Sequence, residues 1–161
     1  MKFQKSKLSI RPASRKELYT ITVLTRKYFP YTGFNMQMIE KRLRNPKIHY
    51  LVALYENYTA GFIDFKENGK SIKIMGLAVI PEMQRKGIGE ELVKEALKFA
   101  MKERKEAVYL LVAENNAIAL ELYGKYGFKL KGKLARKIWG LDVLLLYKKM
   151  GERNYRKKAY P

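Results

Sequence analysis

The sequence predicts an α/β protein of the α+β kind. Its mixed, mostly antiparallel central sheet has about seven strands with helices on both faces, in the order β-α-α-β-β-β-α-β-α-β-β. Three observations predict it. Residues 48–80 hold three β-rich runs separated by turn residues, an antiparallel meander. Residues 107–113 are almost wholly apolar, as a central strand covered on both sides must be. Segments of helical period flank that strand, so strand-helix-strand follows the meander and the sheet is mixed.

Each element has its own signal. Residues 8–11 alternate apolar and polar and stop at Pro12. Ser14-Arg15-Lys16-Glu17 is a capping box, and Leu18, Ile21, Leu24 and Thr25 share the inner face of a helix over residues 15–27. An aromatic turn, residues 28–34, leads to Asn35, the N-cap of a second helix that ends before Asn45-Pro46. Strands at 48–56 and 60–67 form a hairpin, and Asn68-Gly69 turns the chain into a strand at 71–80. Pro81 ends that strand by removing a ladder donor. A helix to about Lys102 buries Ile88, Leu92, Val93, Ala96, Leu97 and Ala100. After residues 107–113, Glu114-Asn115-Asn116 caps a short helix that Gly127 closes. Strands at 128–133 and 142–149 finish the sheet.

With 161 residues the chain suits one domain, expected at 1–149, followed by a basic tail at 150–161. In the tail, Arg153, Arg156, Lys157 and Lys158 are spaced by Tyr155 and Tyr160. No apolar run reaches the roughly 18 residues that span a bilayer, and no secretory leader is read, so no membrane partner is expected. The absence of cysteine excludes disulfides, thiolate metal sites and a cysteine nucleophile, and it suits a cytoplasmic protein. A net charge of +19 attracts anions: nucleic acid, acidic proteins or phosphorylated cofactors. His49, the only histidine, lies in a strand and reads as structural or exposed rather than catalytic.

Gln84-Arg85-Lys86-Gly87-Ile88-Gly89 is the stretch with a chemical purpose. A strand, a basic glycine turn and a helix start together build an anion site. The first helical amides lack partners, the helix dipole is positive there, and two glycines let a phosphate approach the backbone. It is not a nucleoside-triphosphate loop, since no Gly-Lys-Ser/Thr follows.

This turn matches Arg/Gln-x-x-Gly-x-Gly/Ala. About 27 residues on, Asn116-Ala117-Ile118-Ala119-Leu120-Glu121-Leu122-Tyr123-Gly124-Lys125-Tyr126-Gly127-Phe128 matches Asn-x-x-Ala-x-x-Leu-Tyr-x-x-x-Gly-Phe. Together, and in this element order, the chain resembles the GCN5-related N-acetyltransferase (GNAT) family over residues 8–149. The resemblance implies acetyl-CoA as cofactor, in the gap where the central strands splay. It implies that the amides of Arg85, Lys86, Gly87, Ile88, Gly89 and Glu90 hold the pyrophosphate. Backbone groups of Leu77, Ala78 and Val79 would pair with the pantetheine, and Asn116 would bond the same arm. Tyr123 would protonate the departing thiolate. Read from the residues alone, Asn116 is also a helix N-cap and Tyr123 also a buried core tyrosine.

The acceptor is less legible. The resemblance predicts a primary amine acetylated by direct attack, on a small molecule or a protein. Relatives place a glutamate base on the fourth or fifth strand, but residues 71–77 hold no acid and Leu111 stands at the fifth-strand position. Residues 110–113 and Lys137-Ile138-Trp139 also depart from the pattern of N-terminal acetyltransferases, so that class is not expected; Glu114 is offset and caps a helix. The acceptor side would come from Tyr28, Phe29, Tyr31 and Phe34, with no acid before Glu40, which ranks polyamines low. These aromatics serve equally well as core or homodimer contacts. The rival reading is a basic nucleic-acid- or ribosome-associated binding module with a vestigial or regulatory acyl-CoA site.

Overall fold

The meander forms as three successive antiparallel strands whose turns are tighter than the sequence suggests. In the computed structural model, which describes residues 2–151, β1 (Leu8–Pro12) pairs with β2 (Ile48–Tyr55), and β2 with β3 (Tyr58–Asn68). Only Glu56-Asn57 separates β2 from β3, and Glu56 takes the left-handed φ of +57° that two-residue hairpins demand. The next turn falls on Gly69-Lys70, one residue later than expected, because β3 continues to Asn68. β4 (Ser71–Val79), β5 (Ala107–Ala113), β6 (Lys129–Lys133) and β7 (Val143–Lys149) complete a seven-stranded sheet in the order β1-β2-β3-β4-β5-β7-β6. The helices are α1 (Leu18–Tyr28), α2 (Met36–Leu43), α3 (Ile88–Lys102) and α4 (Ala117–Lys125). The observed order of elements is the predicted one. Of the basic tail, all but Met150 and Gly151 lies outside the described residues.

The chain divides into two compact units, residues 2–66 with 74–96 and residues 67–73 with 97–151. In the first, α1 and α2 lie over the meander. Leu18, Ile21 and Leu24 of α1 and Ile39 of α2 are buried with Tyr50, Val52, Phe62 and Ala78. Residues 60–65 of β3 are buried without a break, so this strand is covered on both faces. The helix expected from residue 15 opens as a 3-10 turn, Arg15–Glu17, before α1 proper. The capping box is complete: Lys16 N–H donates to Ser14 Oγ, and Ser14 N–H and Oγ donate to Glu17 Oε2. Glu17 Oε1 forms an ion pair with Arg11 Nη2, tying the helix entry to β1, and Glu17 is only 3% exposed.

In the second unit the tip of the β3–β4 hairpin docks on the start of β5. Glu106 N–H donates to the Lys70 carbonyl at 2.7 Å, Asn68 Nδ2 to Tyr109 Oη at 2.8 Å, and Lys105 Nζ lies 3.0 Å from Glu67. β5 and β7 pair antiparallel along their whole length, from Ala107↔Lys149 to Ala113↔Val143. Gly127, at φ +88°, closes α4 and lets Phe128 N–H return to the Tyr123 carbonyl at 3.0 Å.

Glu17→Ala removes the box and strips a partner from Arg11. We expect a loss of about 2 kcal/mol in urea unfolding, with Glu17→Gln intermediate.

Candidate functional site

The basic glycine turn begins where β4 ends. Ile80 N–H donates to the Ala60 carbonyl at 2.8 Å, the last bond toward β3, and Pro81–Met83 then forms one 3-10 turn. Gln84 fastens it: its Nε2 donates to the Val79 carbonyl at 2.9 Å and to Tyr28 Oη at 3.1 Å. The strand end, the turn and the last residue of α1 are thereby joined through one amide.

Arg85 has φ +62° and Gly87 φ +81°, while Lys86 between them is not among the residues of positive φ. Alternating hand along successive residues turns their N–H groups toward one side, a concave nest for an anion. For Arg85 this conformation is strained, at about 1 kcal/mol or more for a residue with a Cβ. A Cβ placed on Gly87 meets nothing within 4 Å, so the space beside the turn is open. α3 starts at once, its Glu91 N–H bonding the Gly87 carbonyl, which leaves the amides before it aimed out of the helix end. Arg85 and Lys86 are exposed, whereas Glu91 is engaged by Lys5 at 2.9 Å and Lys94 at 3.2 Å. The turn therefore presents amides and two cations to an anion, and it fits the pyrophosphate of acetyl-CoA. Along β4 burial alternates strictly: Gly76 and Ala78 are buried, while Leu77 and Val79 are half-buried.

In the second unit, Asn116 is exposed and Oδ1 accepts from Ala119 N–H at 3.1 Å, so its N-capping role is real. The cap uses the oxygen and leaves the Nδ2 end as the part of the amide suited to a ligand. Tyr123 lies on α4, 4% exposed, its ring edge-on to Phe128 at 5.3 Å. Glu114 lies 3.7 Å from Lys133. Trp139 sits at φ +51° in the turn between β6 and β7 and is 71% exposed.

The four aromatics expected on the acceptor side have different surroundings. Tyr28 receives the Gln84 bond. Phe29 and Phe34 pack on the α1–α2 core and line a cavity of about 30 Å³, together with Thr25, Thr32, Tyr50, Asp64, Met75 and Gly76. Tyr31 stands edge-on to Phe29 and is half exposed. His49 stacks on Phe65 at 5.2 Å in β2, a packing position.

Sequence reasoning missed the polar floor of this cavity. Arg42 of α2 donates from Nε to Tyr50 Oη at 2.8 Å and from Nη2 to Asp64 Oδ2 at 2.8 Å. Its guanidinium also lies 4.8 Å from the Phe34 ring. Burial pushes the Asp64 carboxyl up to about 6, against the pull of Arg42 and the Tyr50 hydroxyl, and pushes the Tyr50 phenol up to about 12. On this group's account the folded state binds the extra proton, so its stability falls as pH rises from 3.8 to about 6. Asp64 is largely ionised at neutral pH. Tyr50 and Asp64 face each other across the β2–β3 ladder, but a lone aspartate in an apolar run gives no sequence signal beyond its being out of place.

Similarity to known proteins agrees with this fold. The model of the acetyltransferase (GNAT) family matches residues 16–128. The N-alpha-acetyltransferase RimI of Mycobacterium tuberculosis is 29% identical over 130 residues, 77% of each chain. An N-alpha-acetyltransferase of Sulfurisphaera tokodaii is 39% identical over 74 residues, 43% of this chain and 44% of that protein. The crystal structure of the PaiA N-acetyltransferase from Thermoplasma acidophilum, in complex with coenzyme A, superposes with a TM-score of 0.74. It is 24% identical and covers 89% of this chain and 99% of that one. The chain belongs to the acetyltransferase (GNAT) family and is an N-acetyltransferase whose donor is acetyl-CoA.

Proposed function

We propose that the chain acetylates a primary amine by direct attack of the amine on the thioester, and that the amine is the α-amino group of a peptide or protein. The observation that carries the donor half is the nest at residues 85–87, with positive φ at Arg85 and Gly87, opening on the start of α3. The acceptor half is supported by the two curated relatives, both named for α-amino acetylation. This revises the expectation drawn from the fifth strand and from Lys137-Ile138-Trp139. An α-amine has a pKa near 8, so it needs a weaker base than a lysine or a polyamine does.

Bound acetyl-CoA supplies the activated acetyl group. In this reading the amides of residues 85–90 hold its pyrophosphate, with Arg85 and Lys86 adding charge. Backbone groups of Leu77, Ala78 and Val79 pair with the pantetheine, and an amide there polarises the carbonyl. Gln84 already occupies one lone pair of the Val79 carbonyl, so it orients that end of the strand. Asn116 adds its Nδ2, and Tyr123 gives its proton to the leaving sulfur, a phenol being roughly matched to a thiol. Tyr28, Phe29, Tyr31 and Phe34 border the acceptor. The family domain is taken as 1–149 and the protein as cytoplasmic, in line with the absence of cysteine; among the described residues no helix is long and apolar enough to cross a membrane.

The net charge of +19 supports a second, compatible reading, in which the basic surface and the tail bring the enzyme to nucleic acid, a ribosome or another anionic carrier of the acceptor.

Calorimetry is expected to show acetyl-CoA binding by the wild type and none by Gly87→Trp or Gly89→Trp. Mass detection of products from a mixture of free-N-terminus peptides and spermidine then identifies the acceptor. No binding at millimolar cofactor refutes the donor assignment, and acetylspermidine as sole product refutes the acceptor. Tyr123→Phe is expected to lower kcat by about 100-fold with cofactor affinity unchanged. For the second reading, RNA affinity should fall steeply with salt in filter binding and be lost on truncation after Met150.

A further inference from the structure

The cavity under the α1–α2 segment ends on a carboxylate that nothing so far uses. Asp64 is 5% exposed, on the strand between β2 and β4. Its Oδ2 meets Arg42 Nη2 at 2.8 Å. Its Oδ1 faces β4: a Cβ placed on Gly76 would lie 2.8 Å from that oxygen, and 3.1 Å from the Phe29 ring. Glycine at 76 is therefore what lets a carboxylate approach this stretch of β4. Met75 and Gly76 line the cavity and lie immediately before the residues proposed to hold the pantetheine.

The groups facing Asp64 come from every element around it. Arg42 comes from α2, Tyr50 from β2 and Tyr31 from the segment after α1, which also brings the uncharged Phe29; α1 and β4 contribute the uncharged Thr25, Met75 and Gly76. Arg42 takes Oδ2, the Tyr50 hydroxyl also bonds the carboxylate, and Oδ1 stands against Gly76, with Asp64 and Gly76 both lining the cavity. A cavity of about 30 Å³ with such a wall holds one or two waters and not a side chain.

We propose that Asp64 is the proton acceptor of the transfer reaction, receiving the acceptor amine's proton through water held in this cavity. The inference rests on the transfer reading above. The acceptor ammonium gives one proton to the water as that water gives one to Asp64, from which it leaves to solvent. The freed amine forms the N–C bond as the C–S bond breaks; Tyr123 protonates the departing thiolate, and the amine's second proton restores the Tyr123 phenol. An acid ionised at neutral pH and titrating near 6 suits this task, because a base works best close to the operating pH. The absence of a carboxylate from residues 71–77 and from position 111 is then filled from β3.

The chain has two aspartates, Asp64 and Asp142, so protein labelled with 13Cγ-aspartate gives two carboxyl resonances, and Asp142→Asn assigns them. Asp64 is expected to titrate near pH 6, and kcat/KM for the peptide found by the product screen should rise with the same midpoint. Asp64→Asn should lose that limb and about 100-fold in kcat/KM while retaining acetyl-CoA affinity. Tyr50→Phe removes a hydrogen bond that favours the ionised carboxyl, so the spectroscopic and kinetic midpoints should move up together. This second variant decides the matter if Asp64→Asn does not fold, since a purely structural ion pair would not carry the kinetic limb with it. Midpoints that part by more than about half a unit, an Asp64 that does not titrate between pH 5 and 8, or an Asp64→Asn limb unchanged from wild type would overturn the proposal and leave the transfer reading standing. Cofactor binding without product from any amine would remove both.

Discussion

The Arg42–Asp64 ion pair is the constraint around which the α1–α2 side of the molecule is built. A charge taken out of water must be paired and hydrogen-bonded, or it costs several kcal/mol. Here the pair is completed by the Tyr50 hydroxyl and by the Phe34 ring over the guanidinium, so α2, β2, β3 and the segment after α1 converge on one group. Of α2 only Ile39 is fully buried, with Leu43 partly so, and the arginine gives this short helix a further, polar attachment. The same arrangement leaves Asp64 Oδ1 against Gly76 and an open volume beside it. A core filled by leucine at these positions would pack more densely but would hold no polar cavity beside β4.

The other organising feature is the end of β4. Pro81 stops the ladder, Gln84 pins the turn to Val79 and Tyr28, and the left-handed residues 85 and 87 direct amides outward before α3 begins. The strain at Arg85 is held by these neighbours. Backbone in a sparsely populated conformation persists only when its surroundings over-determine it, and such positions concentrate where a ligand is held. The nest and the cavity lie in the same unit of the chain, linked through Tyr28 and Phe29, consecutive residues that serve one site each.

Much of this was legible in single residues. Ser14 with Glu17, Asn35 and Asn116 do the capping work their identities announce, because N-capping is a bond between a side chain and backbone two or three residues away, and Gly127 closes α4 through its positive φ. The burial face of α1 follows from period alone. The misses are also physical. The two-residue turn at Glu56-Asn57 needs a left-handed glutamate, which propensity disfavours and strand pairing imposes. The first helix opens as a 3-10 turn because Glu17 is drawn toward both Ser14 and Arg11, and Arg11 belongs to another strand. Asp64 went unread because its partner lies 22 residues away.

The sequence by itself determined the order of the elements, the basic glycine turn at residues 84–89 and, through two spaced motifs, the acetyltransferase family. These depend on local hydrogen bonding, periodicity and glycine placement, all of which act within a few residues. Only the tertiary structure decided which aromatics border a cavity, that Gln84 braces the turn from the Tyr28 side, and that a carboxylate from β3 lies against β4. Those facts arise from pairing register and burial between distant segments, where the identity of one residue acquires its chemistry from whichever residues the fold sets against it.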